Sequence, residues 1–338
     1  MIKKRKSICI LSTGGTISMQ KTSQGYAPVP GFLAKAMEKI PELQNADMPT
    51  YTIHEFDHPI DSANMTPDDW YKIALFIEKN DPEQDGFVIL HGTDTMAYTA
   101  SALSFMLENL KKPVILTGSQ LPLFETRNDA RENLINALLL AGNQRIPEVC
   151  IYFHNKLFRG NRTKKIDAAS FAAFASPNFP ALGKIGTDVR IRRELLRSLP
   201  EKNLLIHKIN PVVIHTVKIF PGISLEVLQY FLETPLQALI LETYGAGTAP
   251  QNKKFIEVIK QLAEKNILIM NCSQCSHAKV KMQDYAASHL LQTAGVISGG
   301  DMTVEAAITK LFYLFSQHLT LDEIKLRMTM NLRGELSE

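Results

Sequence analysis

The fold is decided by the stretch Ile8-Cys9-Ile10-Leu11-Ser12-Thr13-Gly14-Gly15-Thr16, where a short apolar run ends in a polar, glycine-rich loop. The same pattern returns in the first half of the chain with the apolar runs Phe87–Leu90, Val114–Leu116 and Val149–Phe153. Helical patterns separate these runs, for example at Thr95–Leu110 and Asn128–Ala141. Short buried strands that alternate with helices predict an α/β fold, with a mostly parallel sheet flanked by helices.

A charged stretch separates this pattern from a second, shorter one. The 338 residues, 45% of them hydrophobic, are enough for two hydrophobic cores. Residues 188–210 are rich in arginine and contain Pro200, which is typical of a linker. We therefore predict an N-terminal domain over residues 1–187, a linker over 188–210 and a smaller α/β domain over 211–338. The predicted elements of the smaller domain are the strands Val212–Val217, Ala238–Leu241 and Ile267–Met270, and the helices Leu225–Leu232, Lys253–Lys265, Val304–Phe315 and Leu321–Leu332.

Charge and hydropathy limit the classes of partner. The formal net charge is only +3 and the signs are interspersed, so the electrostatic footprint of a nucleic-acid-binding or membrane-surface protein is missing. Lys3-Lys4-Arg5-Lys6 is the exception, and we interpret it as a solvated tail because the apolar run after it is too short for a signal peptide. No apolar segment is long enough to cross a bilayer. Cys9 and Cys150 lie in apolar runs, where free thiols behave as small buried hydrophobic groups. Free thiols suit a reducing compartment, so we expect a cytoplasmic protein.

Polar loops follow the four N-terminal apolar runs. In parallel α/β sheets, ligands bind at the carboxyl ends of the strands. We therefore expect these loops to point to one crevice. They are Thr13-Gly14-Gly15-Thr16, His91-Gly92-Thr93-Asp94-Thr95, Gly118-Ser119-Gln120 and His154–Arg162.

The first two loops each have an ordinary structural interpretation. The Thr13–Thr16 loop lacks the spacing and the lysine of a phosphate-binding loop, and by itself it favours a tight turn over a nucleophile. In the second loop, Asp94 or Thr95 could simply cap the helix that follows. The sequence leaves both interpretations open.

The basic run Arg159–Lys165 is also ambiguous. Such runs are usually solvated faces of a protein. A lysine that reaches a desolvated crevice, however, can lose its proton and act as a base. If Lys165 met Thr93 and Asp94, the three would form a relay of hydroxyl, base and orienting carboxylate.

Asp61 and Ser62 precede a predicted helix start, in which Thr66 is the cap and Pro67 the first helical residue. Their side chains are then free to contact a ligand.

Two further segments carry candidate chemistry. The polar stretch Gln20–Gly31, with its glycines and prolines, is a candidate mobile lid that carries Tyr26. The pair of cysteines in Cys272-Ser273-Gln274-Cys275 stands without a second ligand pair at metal-binding spacing, so we predict no metal site.

Together these motifs resemble the bacterial-type L-asparaginase family, and specifically its cytoplasmic type I branch. The resemblance implies a larger N-terminal domain and a smaller, flavodoxin-like C-terminal domain, assembled as homodimers or tetramers, with no cofactor. The motifs that carry it span the chain: Thr13-Gly14-Gly15-Thr16-Ile17, Asp61-Ser62, His91-Gly92-Thr93-Asp94-Thr95, Arg159–Lys165, Gly222-Ile223-Ser224, Tyr244-Gly245-Ala246-Gly247 and Asn331-Leu332-Arg333-Gly334-Glu335-Leu336.

By position, the resemblance assigns Thr16 as the nucleophile and Tyr26 as a proton relay in the lid. Thr93, Asp94 and Lys165 match the second catalytic cluster. The resemblance implies attack by Thr16 on the side-chain amide of L-asparagine, loss of ammonia, and hydrolysis of the acyl-enzyme to L-aspartate. The substrate-binding residues that it implies are Asp61, Ser62, Ala63, Thr93, Asp94 and Ser119.

The chain departs from the branch at a regulatory site. Members with a regulatory asparagine site carry an arginine at the position of Glu242 and a threonine at that of Lys164. The candidate regulatory residues here are Glu242, Ser273, Gln274 and Cys275. Because the Glu242 carboxylate would repel the carboxylate of a bound asparagine, we predict weak or absent activation by asparagine.

Three other functions remain open. A broader asparaginase and glutaminase is one, since a pocket discriminates a single methylene by only about 1 to 3 kcal/mol. A transamidation subunit on the same fold is less expected, because such subunits carry an extra N-terminal domain and the first predicted strand already begins near Ser7. A non-catalytic amino-acid sensor is disfavoured because every catalytic residue type is present.

Overall fold

The computed structural model describes residues 5–23, 25–29 and 31–337. Lys3 and Lys4 of the basic cluster, and Gln24 and Pro30 of the predicted lid, lie outside the described residues. Two compact units are present, one within Met1–Ser176 and Pro180–Lys208, the other within Pro177–Phe179 and Ile209–Glu338.

The secondary structure alternates strands and helices along the chain. The strands are β1 (Ser7–Gly14), β2 (Met19–Thr22), β3 (Gly25–Pro28), β4 (Thr50–Ile60), β5 (Gly86–Leu90), β6 (Leu107–Glu108), β7 (Val114–Thr117), β8 (Val149–Phe153), β9 (Lys156–Arg159), β10 (Lys164–Lys165), β11 (Phe174–Ala175), β12 (Gly183–Ile185), β13 (Val189–Ile191), β14 (Leu205–Ile206), β15 (Ile214–Lys218), β16 (Ala238–Thr243), β17 (Leu268–Ser273) and β18 (Ile297–Ser298). The helices are α1 (Phe32–Glu38), α2 (Pro67–Asn80), α3 (Met96–Met106), α4 (Ala130–Asn143), α5 (Glu226–Tyr230), α6 (Lys253–Glu264), α7 (Ala286–Thr293), α8 (Val304–Phe315) and α9 (Leu321–Met328).

The first unit is built around a sheet that, over the described residues, has eight strands in the order β13-β12-β9-β8-β7-β5-β1-β4. The neighbouring pairs from β8 to β4 are all parallel, and β9, β12 and β13 add antiparallel pairs at one edge. Every residue of β5, β7 and β8 is buried, as expected for strands whose two faces are both covered. The prediction of an α/β fold with a mostly parallel sheet is confirmed.

Strand β4 lacks the short apolar run that predicted the other parallel strands. It pairs in parallel with β1, from Ser7 opposite Thr50 to Ser12 opposite Glu55. It lies at the edge of the sheet, and its residues alternate between partial burial and exposure. An edge strand does not need an apolar run, so a search for apolar runs misses it.

Helix α3 ends earlier than the sequence predicts. The apolar pattern extends to Leu110, but the helix ends at Met106. Leu107 and Glu108 instead pair in an antiparallel ladder with β14, and Asn109 takes a left-handed conformation with φ 60°. Backbone pairing with a distant segment has replaced the last helical turn, which no local pattern reveals.

The prediction of a loop over His154–Arg162 is wrong beyond its first two residues. His154 and Asn155 form a left-handed turn with φ 44° and 62°, and β9 then runs back antiparallel to β8. Arg159 and Arg162 at the far end are buried, not solvated. Arg159 Nε donates to Glu148 Oε2 at 2.6 Å, which satisfies the charge inside the protein.

The stretch predicted as a linker contains two strands of the first unit. β13 pairs with β12 and β14 pairs with β6. The domain bounds of 1–187, 188–210 and 211–338 stay a prediction.

The second unit has a parallel sheet in the order β15-β16-β17-β18, as the recurring α/β pattern predicts. Helix α6 buries one apolar face, made of Phe255, Val258, Ile259 and Leu262, in the core of this unit. Helix α7 was not predicted. Within the described part of the chain, no helix combines the length and apolar character that a membrane crossing requires.

Helix α9 ends at Met328, four residues before the predicted Leu332. The segment after it is held by Glu335, whose carboxylate accepts hydrogen bonds from the backbone N–H groups of Leu332 and Arg333. Glu335 forms a fully buried ion pair with Lys310 of α8, with 2.5 Å between Oε1 and Nζ. These contacts hold the segment after Met328 in a non-helical conformation.

Candidate active site

Three loops at the carboxyl edge of the first unit's sheet pack so closely that glycine is required. Gly14 and Gly15 have φ of 118° and 80°, in the left-handed region that favours glycine. A Cβ on Gly15 would lie 2.5 Å from Gly92 Cα, and a Cβ on Gly92 would lie 2.7 Å from Ser62 Cβ. The strand-end loops thus bring the segments of Thr16, Thr93 and Ser62 together.

Thr16 has the hydroxyl that this arrangement leaves available. It begins a single 3-10 turn, Thr16–Ser18, and is half-buried. The hydroxyl of the buried Thr13 is already hydrogen-bonded, since its Oγ1 donates to Leu90 O at 3.1 Å. Ser18 Oγ donates to Gly15 O at 3.0 Å. Across residues 5–23, 25–29 and 31–337, the Thr16 hydroxyl has no hydrogen-bond partner, so it can contact a ligand.

Lys165 reaches the second loop. Its Nζ lies 2.7 Å from Thr93 Oγ1 and 2.7 Å from Asp94 Oδ1. The lysine is placed by the β10 and β11 pair, in which Lys165 lies opposite Phe174. The Lys165 side chain is 19% exposed and that of Asp94 is 63% exposed, so the cluster opens to solvent through Asp94. The contact that the sequence left open is present.

The Asp61–Ala63 segment is fixed beside these loops. Thr95 Oγ1 donates to Ser62 O at 2.7 Å, and Asp61 Oδ1 accepts from Ala63 N at 3.2 Å. Asp61 is exposed and Ser62 is buried. Thr95 does hold the N-cap position of α3, but its hydroxyl binds the neighbouring loop and not the first turn of its own helix.

The next helix begins as predicted. Thr66 is the N-cap of α2, and Pro67 is its first residue. Thr66 and Asp69 form a capping box, which satisfies backbone groups at the start of the helix.

His91 holds the second loop in place through hydrogen bonds of its buried ring. It is fully buried, with Nδ1 2.7 Å from Gly92 O and Nε2 2.9 Å from Thr99 Oγ1. A carbonyl only accepts, so Nδ1 carries the proton and Nε2 accepts from Thr99, which in turn accepts from Trp70 Nε1 at 3.0 Å. Burial lowers the pKa of His91 to about 4. His91 is therefore neutral at neutral pH and acts by holding the loop.

Gln120 was not among the predicted site residues, although its loop was. Its Oε1 accepts from Thr93 Oγ1 at 3.2 Å, and its Nε2 donates to Ser170 O at 3.1 Å. Ser119, which was predicted, is buried and turns its hydroxyl back to Leu121 O at 2.6 Å. The available signal was the position of Gln120 directly after a strand end.

Tyr26 lies on the hairpin formed by β2 and β3, within the predicted lid. Its side chain is 49% exposed, and its hydroxyl donates to Glu125 Oε1 at 2.8 Å. This hydrogen bond raises the pKa of Tyr26 above its usual value. The Phe124 ring lies 6.2 Å from the Tyr26 ring, between centroids. The loop after Ser119 thus contacts the hairpin.

The four candidate regulatory residues lie in the second unit. Ser273 Oγ donates to Gly245 O at 2.6 Å and accepts from Cys275 N at 3.0 Å. Gln274 Nε2 donates to the backbone carbonyl of Glu242 at 2.7 Å. Cys275 is exposed, and among the described residues no cluster of His, Cys, Asp and Glu side chains is arranged to hold a metal ion. The regulatory role of these residues stays a prediction.

Comparison with known proteins relates this geometry to a family. Residues 7–197 match the family model described as asparaginase, N-terminal, and residues 213–328 match the glutaminase/asparaginase C-terminal domain. The chain is 52% identical over 336 residues to L-asparaginase 1 of Escherichia coli, covering 99% of each chain.

Solved structures agree with this match. L-asparaginase I from Vibrio cholerae is 47% identical, with a TM-score of 0.92 over 99% of this chain and 100% of that one. The thermostable L-asparaginase from Thermococcus kodakarensis is 33% identical, with a TM-score of 0.88 over 98% and 99% of the two chains. On the sequence match along nearly its whole length, this chain belongs to the asparaginase family.

Proposed function

We propose that this chain is an L-asparagine amidohydrolase, which converts L-asparagine to L-aspartate and ammonia through an acyl-enzyme on Thr16. The observation that carries the proposal is the close approach of Gly15 to Gly92. It brings the loop with the available Thr16 hydroxyl against the loop whose Thr93 and Asp94 bind Lys165. The identity of 52% to an L-asparaginase supports the choice of substrate.

The polar ends of the substrate fit the groups around these loops. The exposed carboxylates of Asp61 and Asp94 suit an α-ammonium group, with which they form charge-assisted hydrogen bonds. The Ser62 hydroxyl and nearby backbone N–H groups suit the α-carboxylate. Binding at these points would leave the side-chain amide to approach Thr16 and Thr93.

The first half-reaction forms the acyl-enzyme. Thr16 Oγ1 attacks the amide carbon, and the C–N bond breaks to release ammonia. Tyr26 takes the proton of Thr16 and passes its own to the leaving nitrogen, so that the tyrosine ends as it began. Backbone N–H groups near Thr16 and Thr93 stabilise the negative oxygen of the tetrahedral intermediate. Since Tyr26 donates to Glu125 in the structure, this step requires its hydroxyl to turn to Thr16.

The second half-reaction hydrolyses the ester. Water attacks the acyl carbon while the cluster of Thr93, Lys165 and Asp94 takes one proton from it. The ester C–O bond breaks, a proton returns to Thr16, and aspartate leaves. An ammonium group has three donors and no acceptor, so Lys165 must lose a proton before the cluster can accept one.

We propose in addition that the chain acts in the cytoplasm as a homodimer or homotetramer. Support for the compartment comes from the cysteines, since Cys9, Cys150, Cys272 and Cys275 are all free thiols. Support for assembly comes from large apolar side chains on the surface of the second unit, including Phe220 at 54% and Tyr230 at 64% exposure. Light scattering of the purified chain measures the assembly directly.

The test of the function is ammonia release from L-asparagine and L-glutamine by the wild type and by Thr16→Ala. We expect release from asparagine by the wild type and a loss of about 10⁴-fold or more in the variant. Binding of asparagine without ammonia release would favour the sensor. Comparable release from glutamine would favour the broader amidohydrolase, and near-normal turnover by Thr16→Ala would move the nucleophile to Thr93.

A further inference from the structure

We propose that Gln120 is a positioning residue that sets the direction of the Thr93 hydroxyl proton and thereby the pH at which the Lys165 cluster can accept a proton. This inference rests on the proposed function of Thr93 and Lys165, and it adds a residue that the resemblance does not assign.

The hydrogen bonds of Thr93 have one consistent orientation while Lys165 is charged. An ammonium group can only donate and a carboxylate can only accept, so Lys165 donates to both Asp94 Oδ1 and Thr93 Oγ1. The Thr93 hydroxyl must then give its own proton to another acceptor. Gln120 Oε1, at 3.2 Å, is that acceptor.

The amide of Gln120 cannot be turned over without loss. Its Nε2 lies 3.1 Å from Ser170 O, which accepts only, so the nitrogen faces Ser170 and the oxygen faces Thr93. The Ser170 carbonyl is itself held in a turn, because the backbone N–H groups of Ala169 and Ser170 donate to Asp167 Oδ1 at 2.7 and 2.9 Å.

The backbone of Gln120 is equally fixed. Its N–H lies 3.0 and 3.1 Å from the two carboxylate oxygens of Asp129, and Leu121 N donates to Asp129 Oδ1 at 3.1 Å. Asp129 is only 8% exposed and also accepts from Asn133 Nδ2 at 3.2 Å. The side chain of Gln120 is therefore held at both ends, which makes it a rigid acceptor for Thr93.

This arrangement favours one protonation state of the cluster. When Lys165 is an ammonium, Thr93 accepts from it and donates to Gln120, so the Thr93 hydroxyl is satisfied both as acceptor and as donor. When Lys165 is neutral, its lone pair competes with Gln120 for the Thr93 proton. Among the described residues, the charged group that contacts this hydroxyl is Lys165 from β10, while Asp94 contacts Lys165 and Asp129 contacts the Gln120 backbone. An acceptor at position 120 thus helps to keep the proton on the cluster.

Two variants of nearly the same shape test this with opposite signs. Gln120→Leu removes the acceptor, so we expect the acidic limb of the pH profile of kcat to move to lower pH. Gln120→Glu replaces the acceptor with a negative charge beside Lys165, so we expect that limb to move to higher pH. On the plateau above this limb, we expect kcat of Gln120→Leu to fall about tenfold because the Thr93 hydroxyl loses its fixed direction, with KM within about twofold.

A matched control is Gln144→Leu. Gln144 lies at the C-terminal end of α4, where its side chain accepts a hydrogen bond from Arg193. It is therefore at the opposite end of this helix from Asp129, which holds the Gln120 backbone. We expect wild-type kcat and pH profile for this control. Thermal unfolding of all three variants identifies any loss of folding, and the pH limb remains measurable on the folded fraction because it does not depend on enzyme concentration.

The proposal is overturned if both variants shift the limb in the same direction, or if Gln120→Leu keeps the wild-type kcat and limb. These outcomes concern Gln120 alone. If the wild type releases no ammonia from asparagine, the proposed function has failed instead, so the two failures are distinguishable.

Discussion

Gly15 approaches Gly92 so closely that a Cβ on Gly15 would lie 2.5 Å from the Cα of Gly92. The obstacle is backbone, which cannot rotate away as the end of a side chain can. Gly15 also has φ 80°, which other residues adopt only with strain. The contact between the loops of Thr16 and Thr93 therefore depends on the absence of a side chain at position 15.

We accordingly expect Gly15→Ala to separate the two loops. Because a misplacement of about 1 Å can cost about 100-fold in rate, we expect kcat/KM to fall by about that factor, and the unfolding temperature Tm to fall by several degrees. The matched control is Gly186→Ala, since a Cβ at Gly186 would meet nothing within 4 Å. Steady-state kinetics and calorimetry measure both effects, and a Gly15→Ala enzyme with wild-type kinetics would contradict this account.

Lys165 is the second residue at which a single substitution should strongly reduce turnover. Lys165→Met keeps the length of the side chain but removes the donor to Thr93 and the ion pair with Asp94. General acid–base groups contribute about 10²- to 10⁴-fold, so we expect kcat to fall within that range. Lys184→Met, at an exposed position of β12, serves as the control and should retain wild-type kcat. Retention of kcat by Lys165→Met would remove the lysine from the mechanism.

The sequence predicted the parts of this site that follow buried strands. The runs before Thr13 and His91 are apolar because the sheet is covered on both faces, so the pattern placed both loops at one edge. What the sequence left open was the contact of Lys165 with Thr93, from which it is separated by 72 residues in the chain. This contact depends on the antiparallel pairing of β10 with β11, which positions Lys165. Two-residue strands of this kind leave no periodicity to detect.

Gln120 and His91 were missed for a related reason. Both lie in loops that the sequence singled out, but their roles depend on partners outside those loops. Gln120 bonds Ser170, and His91 bonds Thr99, which in turn bonds Trp70. A histidine in a strand-end loop could equally be a surface group or a base. Only its complete burial distinguishes a neutral, supporting histidine from either of these.

The burial of His91 should appear in the pH dependence of stability. Its pKa is about 4 in the folded chain and about 6.5 for an unperturbed histidine, so the unfolded chain binds the proton first as the pH falls. Its contribution to stability is therefore complete above about pH 6.5 and is lost progressively as the pH falls to about 4. The lost stabilisation is on the order of 3 kcal/mol.

The measurement compares the wild type with His91→Asn, whose amide keeps a donor toward Gly92 O but does not titrate. We expect the Tm of the wild type to fall more steeply than that of the variant between pH 7 and pH 5. His207→Asn is the control for removal of a histidine elsewhere, since His207 bonds Glu108 at 2.5 Å and is only partly buried. Parallel curves for the wild type and His91→Asn would show that His91 is not the group responsible.

The second unit supplies the last prediction, which concerns regulation by the substrate. Two like charges about 4 Å apart repel by about 1 kcal/mol in water and about 4 kcal/mol near a protein surface, so Glu242 opposes the carboxylate of an asparagine bound beside it. We expect the initial rate to depend hyperbolically on asparagine concentration, with a Hill coefficient near one. If no asparagine binds beside Glu242, the exposed thiol of Cys275 contacts no effector, so Cys275→Ala should leave the shape of this curve unchanged. A sigmoidal curve that becomes hyperbolic in Cys275→Ala would instead establish an effector site at this turn despite the charge of Glu242.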